Sequence, residues 1–292
     1  MDTISCASTI AWAMEANEKG LWDSGLTFGN AEDLEQLFDD IAHRRGIGDE
    51  LAQGSKRLSK KYGGSEFAIQ SKGLELAAYE PRRAVGMGLG YAVSNRGGCH
   101  LNGGYLVIVE GLGLFTDPQT PRAKADITMM FQDLMEAISA AGQCLFSTYV
   151  FFPSILITRP NGPIATVMNK ALPYTGGVFR AINKFPKAIQ MHLPILPHTR
   201  AFENATGMKM KMGDLIRCGE RGFTLDRQIS VRFGVSAKDD ALPKRLTDEL
   251  QDPNDPTSKV PLETMKRTYY AARGWTQSGR PKIRTLKKLK IL

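Results

Sequence analysis

Apolar side chains that return at every third or fourth position, segment after segment, restrict this chain to a helical architecture. Between Thr3 and Lys19 the recurring residues are Ile4, Ala7, Ile10, Ala11 and Met14, and Gly20 stands where a helix stop is expected. Asn30 opens a second run, with Leu34, Leu37, Phe38 and Ile41 on one face and an acidic first turn; Gly46 and Gly48 close it. A third helix is expected over 49–62, with further helices over 84–93, 121–146, 164–172, 176–188, 211–233 and 261–272 and a short one near the end. Only 67–70 and 105–109 read as strand, and 237–258, rich in Asp, Pro and Lys, reads as a surface loop. Without strand–helix alternation there is no dinucleotide-binding fold to expect. The fold class is mainly α, multihelical. Periodicity lapses between Gly63 and Arg83, which sets a boundary between a unit over 1–72 and one over 73–292.

At 292 residues, with 42% hydrophobic and 23% charged side chains, the chain can bury a core of one large or two modest domains. No run reaches the roughly 18 apolar residues of a membrane span, the longest apolar region, 144–158, being interrupted by Ser147, Thr148, Pro153 and Ser154. The N-terminus lacks the pattern of a secretory signal, so a cytoplasmic location is expected. The net charge of +8 concentrates only at Arg280, Lys282, Arg284, Lys287, Lys288 and Lys290, which read as a solvated tail or the cationic last turn of a helix. Scattered positive charge gives little support to a nucleic-acid partner.

Cys6, Cys99, Cys144 and Cys218 lie far apart with no CxxC pair, so their spacing defines neither a zinc site nor a disulfide framework. Two residues stand out where helical pattern meets Gly-rich chain. His100 closes Ser94-Asn95-Arg96-Gly97-Gly98-Cys99-His100, and Cys144 closes Gly142-Gln143-Cys144. Histidine is the side chain that most readily exchanges a proton near neutrality, and thiolate binds soft metal centres. His192 and His198 flank a Pro-containing run and read as exposed loop residues. The run Gly86-Met87-Gly88-Leu89-Gly90 follows no strand and precedes no phosphate-loop lysine, so close helix packing is expected there instead of nucleotide binding.

Several stretches, in order along the whole chain, resemble the tungsten-containing aldehyde ferredoxin oxidoreductases. They are Asp2-Thr3-Ile4-Ser5, Lys72-Gly73-Leu74-Glu75-Leu76 with Tyr79-Glu80-Pro81-Arg82, 86–100, Gly142-Gln143-Cys144, Arg232-Phe233-Gly234 with 239–245, and Tyr269-Tyr270 with Arg273-Gly274-Trp275. Only the C-terminal part of that family is matched. The resemblance implies two helical domains, the first truncated at its N-terminus, that help enclose a tungsten bis-pterin beside a [4Fe-4S] cluster.

By that resemblance Cys144 corresponds to the fourth cluster ligand and His100 to a proton-moving histidine near the metal. Asp2 is the remnant of a first pterin motif, and Ser139, Gly142 and Gln143 belong to a second. Ser139 replaces the family's aspartate and Gln143 its leucine, and a serine lacks the charge that holds pterin amino groups strongly. The three clustered cysteines that complete such a cluster, a glutamate near the metal and the N-terminal domain are not in this sequence, whereas a [4Fe-4S] cluster needs four ligands. The expectation is an oxidoreductase portion that oxidises a small aldehyde to a carboxylic acid and passes electrons to ferredoxin. It would need a separate N-terminal domain or subunit and would otherwise expose an apolar face. A redox-inactive helical binding or scaffold module is the competing reading.

Overall fold

The computed structural model describes residues 1–111, 117–144, 158–159, 161–171, 174, 176–193 and 196–292. Most of the longest apolar stretch of the sequence, residues 145–157, lies outside them, as do the end of the helix expected over 121–146 and residues 194–195. The described residues form fourteen α-helices and one two-stranded antiparallel ribbon. No described helix is long and apolar enough to cross a membrane.

The N-terminal part comprises α1 (Thr3–Glu18), α2 (Leu34–His43), α3 (Ile47–Leu51) and α4 (Ser55–Tyr62). Its core joins Ile10, Trp12, Ala13, Ala16, Leu58 and Phe67. The single helix expected over 49–62 is two helices, because Gly54 takes a φ of +81° that a continuing helix does not accommodate. The strand expected over 67–70 is shorter and shifted: β1 (Gln70–Ser71) pairs with β2 (Leu74–Glu75). Glu75, buried, accepts hydrogen bonds from the Ser55 N–H and hydroxyl at 2.8 Å each and ties this ribbon to α4.

Beyond the ribbon come α5 (Val85–Val93), α6 (Val107–Gly111) and α7 (Lys124–Ala140). The segment expected as strand over 105–109 is therefore helical. Burial of Val109 and Glu110 against the rest of the protein overrides the β-branched preference of Val107, Ile108 and Val109. After α7 follow α8 (Pro163–Ala171), α9 (Gly176–Lys184), a single 3₁₀ turn over Pro186–Ala188, α10 (His198–Thr206) and α11 (Met212–Arg232). Helix α10 was not legible in the sequence. The last elements are α12 (Lys244–Thr247), α13 (Leu262–Arg273) and α14 (Ile283–Lys288).

Helix α7 is the hub, packing against α5, α9, α11 and α13. Its twelve buried residues include Lys124, Asp126, Gln132 and Asp133, polar groups that a core accepts only when partnered. Arg273 and Asp133, both fully buried, form an ion pair between α13 and α7. The guanidinium also donates to Tyr269 Oη at 2.9 Å and to Gln132 Oε1 at 2.9 Å, and it lies 4.3 Å from the centre of the Phe223 ring. Burial pushes the Asp133 carboxyl upward with Arg273 opposing. Burial would lower Arg273, but the carboxylate outweighs it and pushes the guanidinium upward. A guanidinium stays protonated throughout the physiological range, so its direct contact opposes that upward push on the carboxyl.

A second buried charge lies within 237–258, which is otherwise largely the exposed loop expected, interrupted by α12. Asp240, with no exposed surface, accepts from Arg227 at 2.9 and 2.6 Å and from Lys72 at 2.8 Å, and it bonds the Tyr270 hydroxyl. Burial alone would raise this carboxyl, yet Lys72 and Arg227 hold it below the ordinary range. Replacing one member of such a pair leaves an uncompensated charge in the core. Asp133→Asn is therefore expected to lower unfolding stability by about 3–5 kcal/mol in a urea titration. Asp49→Asn, which removes a surface partner of Arg44, is expected to cost less than about 1 kcal/mol. Equal effects of the two substitutions would remove the Arg273–Asp133 pair as the organising contact.

Candidate functional site

The residues singled out in the sequence fall in three places on this framework. Asp2 is the N-cap of α1. Its carboxylate accepts from the Ile4 and Ser5 N–H groups at 3.3 and 3.2 Å, and hydrogen bonding with Ser5 lowers its pKa. It also lines a hollow of ≈ 380 Å³ together with Met1, Ser5, Cys6 and Thr9. Cys6, partly buried on the same helix, has its thiol pushed up by burial.

The second place is the C-terminus of α7. Ser139 is exposed in the last turn, and the Gln143 N–H reaches back to the Ile138 carbonyl at 3.0 Å while the Gly142 N–H bonds Ser139 O at 3.0 Å. Gly142 takes the left-handed conformation, φ +69°, that ends a helix in this way, and among the described residues no atom beyond its chain neighbours stands within 4 Å of where its Cβ would be. The helix end thus presents a glycine followed by the side chains of Gln143 and Cys144. Among the described residues Gln143 Oε1 is buried without a hydrogen-bond partner, and Cys144 is exposed.

His198, read from the sequence as an exposed loop residue, is only 3% exposed and begins α10. Burial lowers its pKa, opposed by a hydrogen bond to the Cys144 backbone. It therefore ties the start of α10 to the Cys144 backbone. His192 is not a free loop residue either: its Nδ1 lies 2.8 Å from Thr199 Oγ1 and its Nε2 3.3 Å from a Glu203 carboxylate oxygen. Neither contact has a sequence signal, because each depends on α10.

The third place is His100, which follows α5 and stands half-buried in an aromatic group. Its ring lies 5.3 Å from Tyr105 and 5.9 Å from Tyr79, centre to centre, and the two phenols meet at 3.0 Å. Burial, with a smaller contribution from the Arg96 charge, lowers the His100 pKa below its ordinary value and favours a neutral imidazole at pH 7. Tyr79 continues into a cavity of ≈ 350 Å³ whose polar lining includes Glu15, Glu80 and Arg245. Tyr79 stood in a motif singled out in the sequence, but nothing there joined it to Tyr105 or His100.

The Gly-rich run forms α5, as the packing reading expects. A Cβ on Gly90 would fall 2.2 Å from the Gly103 carbonyl oxygen. At the N-terminus of α5 the Gly86 and Met87 N–H groups each donate at 2.9 Å to the buried carboxylate of Glu110, which in turn pairs with Lys124. An internal anion occupies the position a phosphate would need. Among the described residues no group of three or more His, Cys, Asp or Glu could hold a metal ion.

Comparison with known proteins bears on the same segments. A family model described as aldehyde ferredoxin oxidoreductase, domains 2 and 3, matches residues 1–291. The tungsten-containing aldehyde ferredoxin oxidoreductase of Thermococcus kodakarensis is 36% identical over 293 residues, covering 96% of this chain and 41% of its own length. That of Pyrococcus furiosus is 34% identical over 304 residues, covering 100% and 43%. The chain spans about two fifths of the curated relatives it matches. Among solved structures, the active-site complex BamBC of benzoyl coenzyme A reductase with 1,5-dienoyl-CoA shares the fold, with a TM-score of 0.59 at 20% identity over all of this chain and 44% of that one.

The environment of His100 makes a direct prediction. Its imidazole should titrate below the ordinary histidine midpoint when followed by NMR, and Arg96→Gln should move the midpoint part of the way back because burial, the larger cause, remains. A wild-type midpoint at or above the ordinary value would contradict the half-buried site.

Proposed function

We propose, from the premise that this chain belongs to the aldehyde ferredoxin oxidoreductase family and carries its domains 2 and 3, that it forms the helical part of a tungsten-dependent aldehyde-oxidising site. The substrate class is a small aldehyde and the product its carboxylic acid. Residues 1–72 would belong to the middle helical domain and 73–292 to the C-terminal one.

The observation that carries this reading is the end of α7. There, among the described residues, an exposed Cys144 stands next to Gln143, whose buried Oε1 lacks a hydrogen-bond donor, and next to an open glycine. Cys144 would give one thiolate to a [4Fe-4S] cluster. Gln143 Oε1 would accept from a pterin N–H, and Ser139 and Asp2 would add polar contacts. These donors fit one wall of a cofactor chamber and not the whole of it, since a cluster takes four ligands and the described residues supply no such group. A separate N-terminal part has to bring the remainder. When bound, the tungsten centre would supply the two-electron acceptor for converting an aldehyde and water to a carboxylate, with the cluster passing electrons on to ferredoxin.

His100 would do the proton work. Held neutral by burial, it can accept a proton at an imidazole nitrogen as water adds, and the neighbouring Tyr105 and Tyr79 fix its ring. An exposed stripe on α11, formed by Leu225, Ile229 and Phe233 at four-residue spacing, supports a further covering part.

Co-expression with the N-terminal part of a family member should yield a complex holding tungsten and about four irons. Cys144→Ser should lower the iron content, and iron unchanged by that substitution removes Cys144 as a ligand. In such a complex His100→Asn should cost roughly 10²–10⁴-fold in kcat. The acid limb of the wild-type rate profile should fall below the ordinary histidine midpoint, because protonation of a His with a lowered pKa abolishes the base only at lower pH. Full activity in His100→Asn would assign the proton transfer elsewhere.

A further inference from the structure

The basic C-terminal residues stand on and around α14, whose last turn carries Lys287 and Lys288, so the helical one of the two expected alternatives holds. Lys282 and Arg284 converge with α9 and α13 on an open cleft of ≈ 940 Å³, within the size range of small-molecule sites. Arg267 enters from α13 and Lys184 from the end of α9. The two carboxylates in the lining are already engaged: Asp126 holds Arg180, and Glu220 holds Arg217 and Lys288. Lys184, Arg267, Lys282 and Arg284 have no ion-pair partner among the described residues.

Two features of the lining are not cationic. Asn183 is 5% exposed; its Nδ2 donates to the Asp126 carbonyl at 2.9 Å, which fixes the amide, and its Oδ1 is buried without a donor among the described residues. Phe185 beside it is 60% exposed, with the Lys184 ammonium 5.2 Å from its ring centre. Arginine forks match phosphate oxygens in two-point contact, an aromatic face accepts a planar base, and a lone acceptor requires a hydroxyl or amino donor.

We propose that this cleft binds a nucleoside diphosphate or a larger ligand built on one. Its phosphates lie among Arg267, Lys282 and Arg284, its base stacks against Phe185, and a ribose hydroxyl or base amino group donates to Asn183 Oδ1. The site is independent of the metal chemistry and is tested on the 292-residue chain without metal.

Calorimetric titration with ADP should give saturable one-to-one binding that weakens with added salt. Arg267→Ala combined with Arg284→Ala should weaken it about tenfold or more, as expected for the loss of charge-assisted bonds. Lys238→Ala with Lys244→Ala, which lie in another surface hollow, should leave it unchanged. Thermal melts of each variant confirm that the fold is kept. The absence of saturable ADP binding, or a folded Arg267/Arg284 variant that binds as wild type, would overturn the site. Equal affinity for pyrophosphate and ADP would overturn the nucleoside part. Tighter competition by polyglutamate or an oligonucleotide than by ADP would make the cleft a docking surface for an acidic polymer and end the small-molecule assignment. None of these outcomes touches the iron content by which Cys144 is judged.

Discussion

A guanidinium buried away from the surface holds the centre of this protein. Arg273 is 2% exposed, and its charge is met by Asp133 on the hub helix α7 and shared with Tyr269 and Gln132. Such a pair adds little net stability over an apolar core, because both ions give up hydration, but it tolerates only one geometry. That geometry fixes α7 relative to α13. Two further buried pairs brace the same layer: Glu110–Lys124 joins α5, α6 and α7, and Asp240 with Arg227 and Lys72 joins the ribbon, α11 and the segment before α12. The candidate site depends on this bracing, since Cys144 leaves from the end of α7 and His100 from the end of α5.

Much of the helical framework was legible because amphipathic periodicity is local. The runs that became α1, α5, α11 and α13 were bounded to within a residue or two by Gly, Pro and polar caps. What failed was non-local. Asp239-Asp240 in a Pro- and Lys-rich stretch reads as surface by composition, yet Asp240 finds Lys72 far upstream in sequence and disappears from solvent. Val107-Ile108-Val109 has the side chains of a strand, but with no neighbouring strand to pair with, it closes its hydrogen bonds within a helical turn. His198 looked like a loop residue because nothing in its neighbours announced α10.

The motifs behind the family resemblance divide in the structure into two physical kinds. Lys72, Glu75, Asp240, Tyr269, Tyr270 and Arg273 are buried polar residues whose partners lie on other elements. They specify how helices meet. Asp2, Ser139, Gly142 and Cys144 sit at helix ends with exposed side chains or open backbone. They mark where helices begin and end at the surface, with the Asp2 carboxylate capping α1. Gln143 and His100 fall between, each partly buried.

The placement of charge follows from the same division. Most buried carboxylates capture a cation, Asp240 two, while Glu75 is met by the N–H and hydroxyl donors of Ser55, so the interior uses acidic and basic residues in comparable number. The surplus that makes the chain +8 must then stand outside the core. Spread evenly, it would be screened beyond about one Debye length and do little. Drawn into a concave surface between α9, α13 and α14, where the local carboxylates are already paired, it raises the potential at one place. A cleft of that kind gains from an anion what each isolated lysine would not. Helix α5 makes the converse case: its N-terminal N–H groups could have served a phosphate, but Glu110 satisfies them from within, so the glycines there serve packing alone.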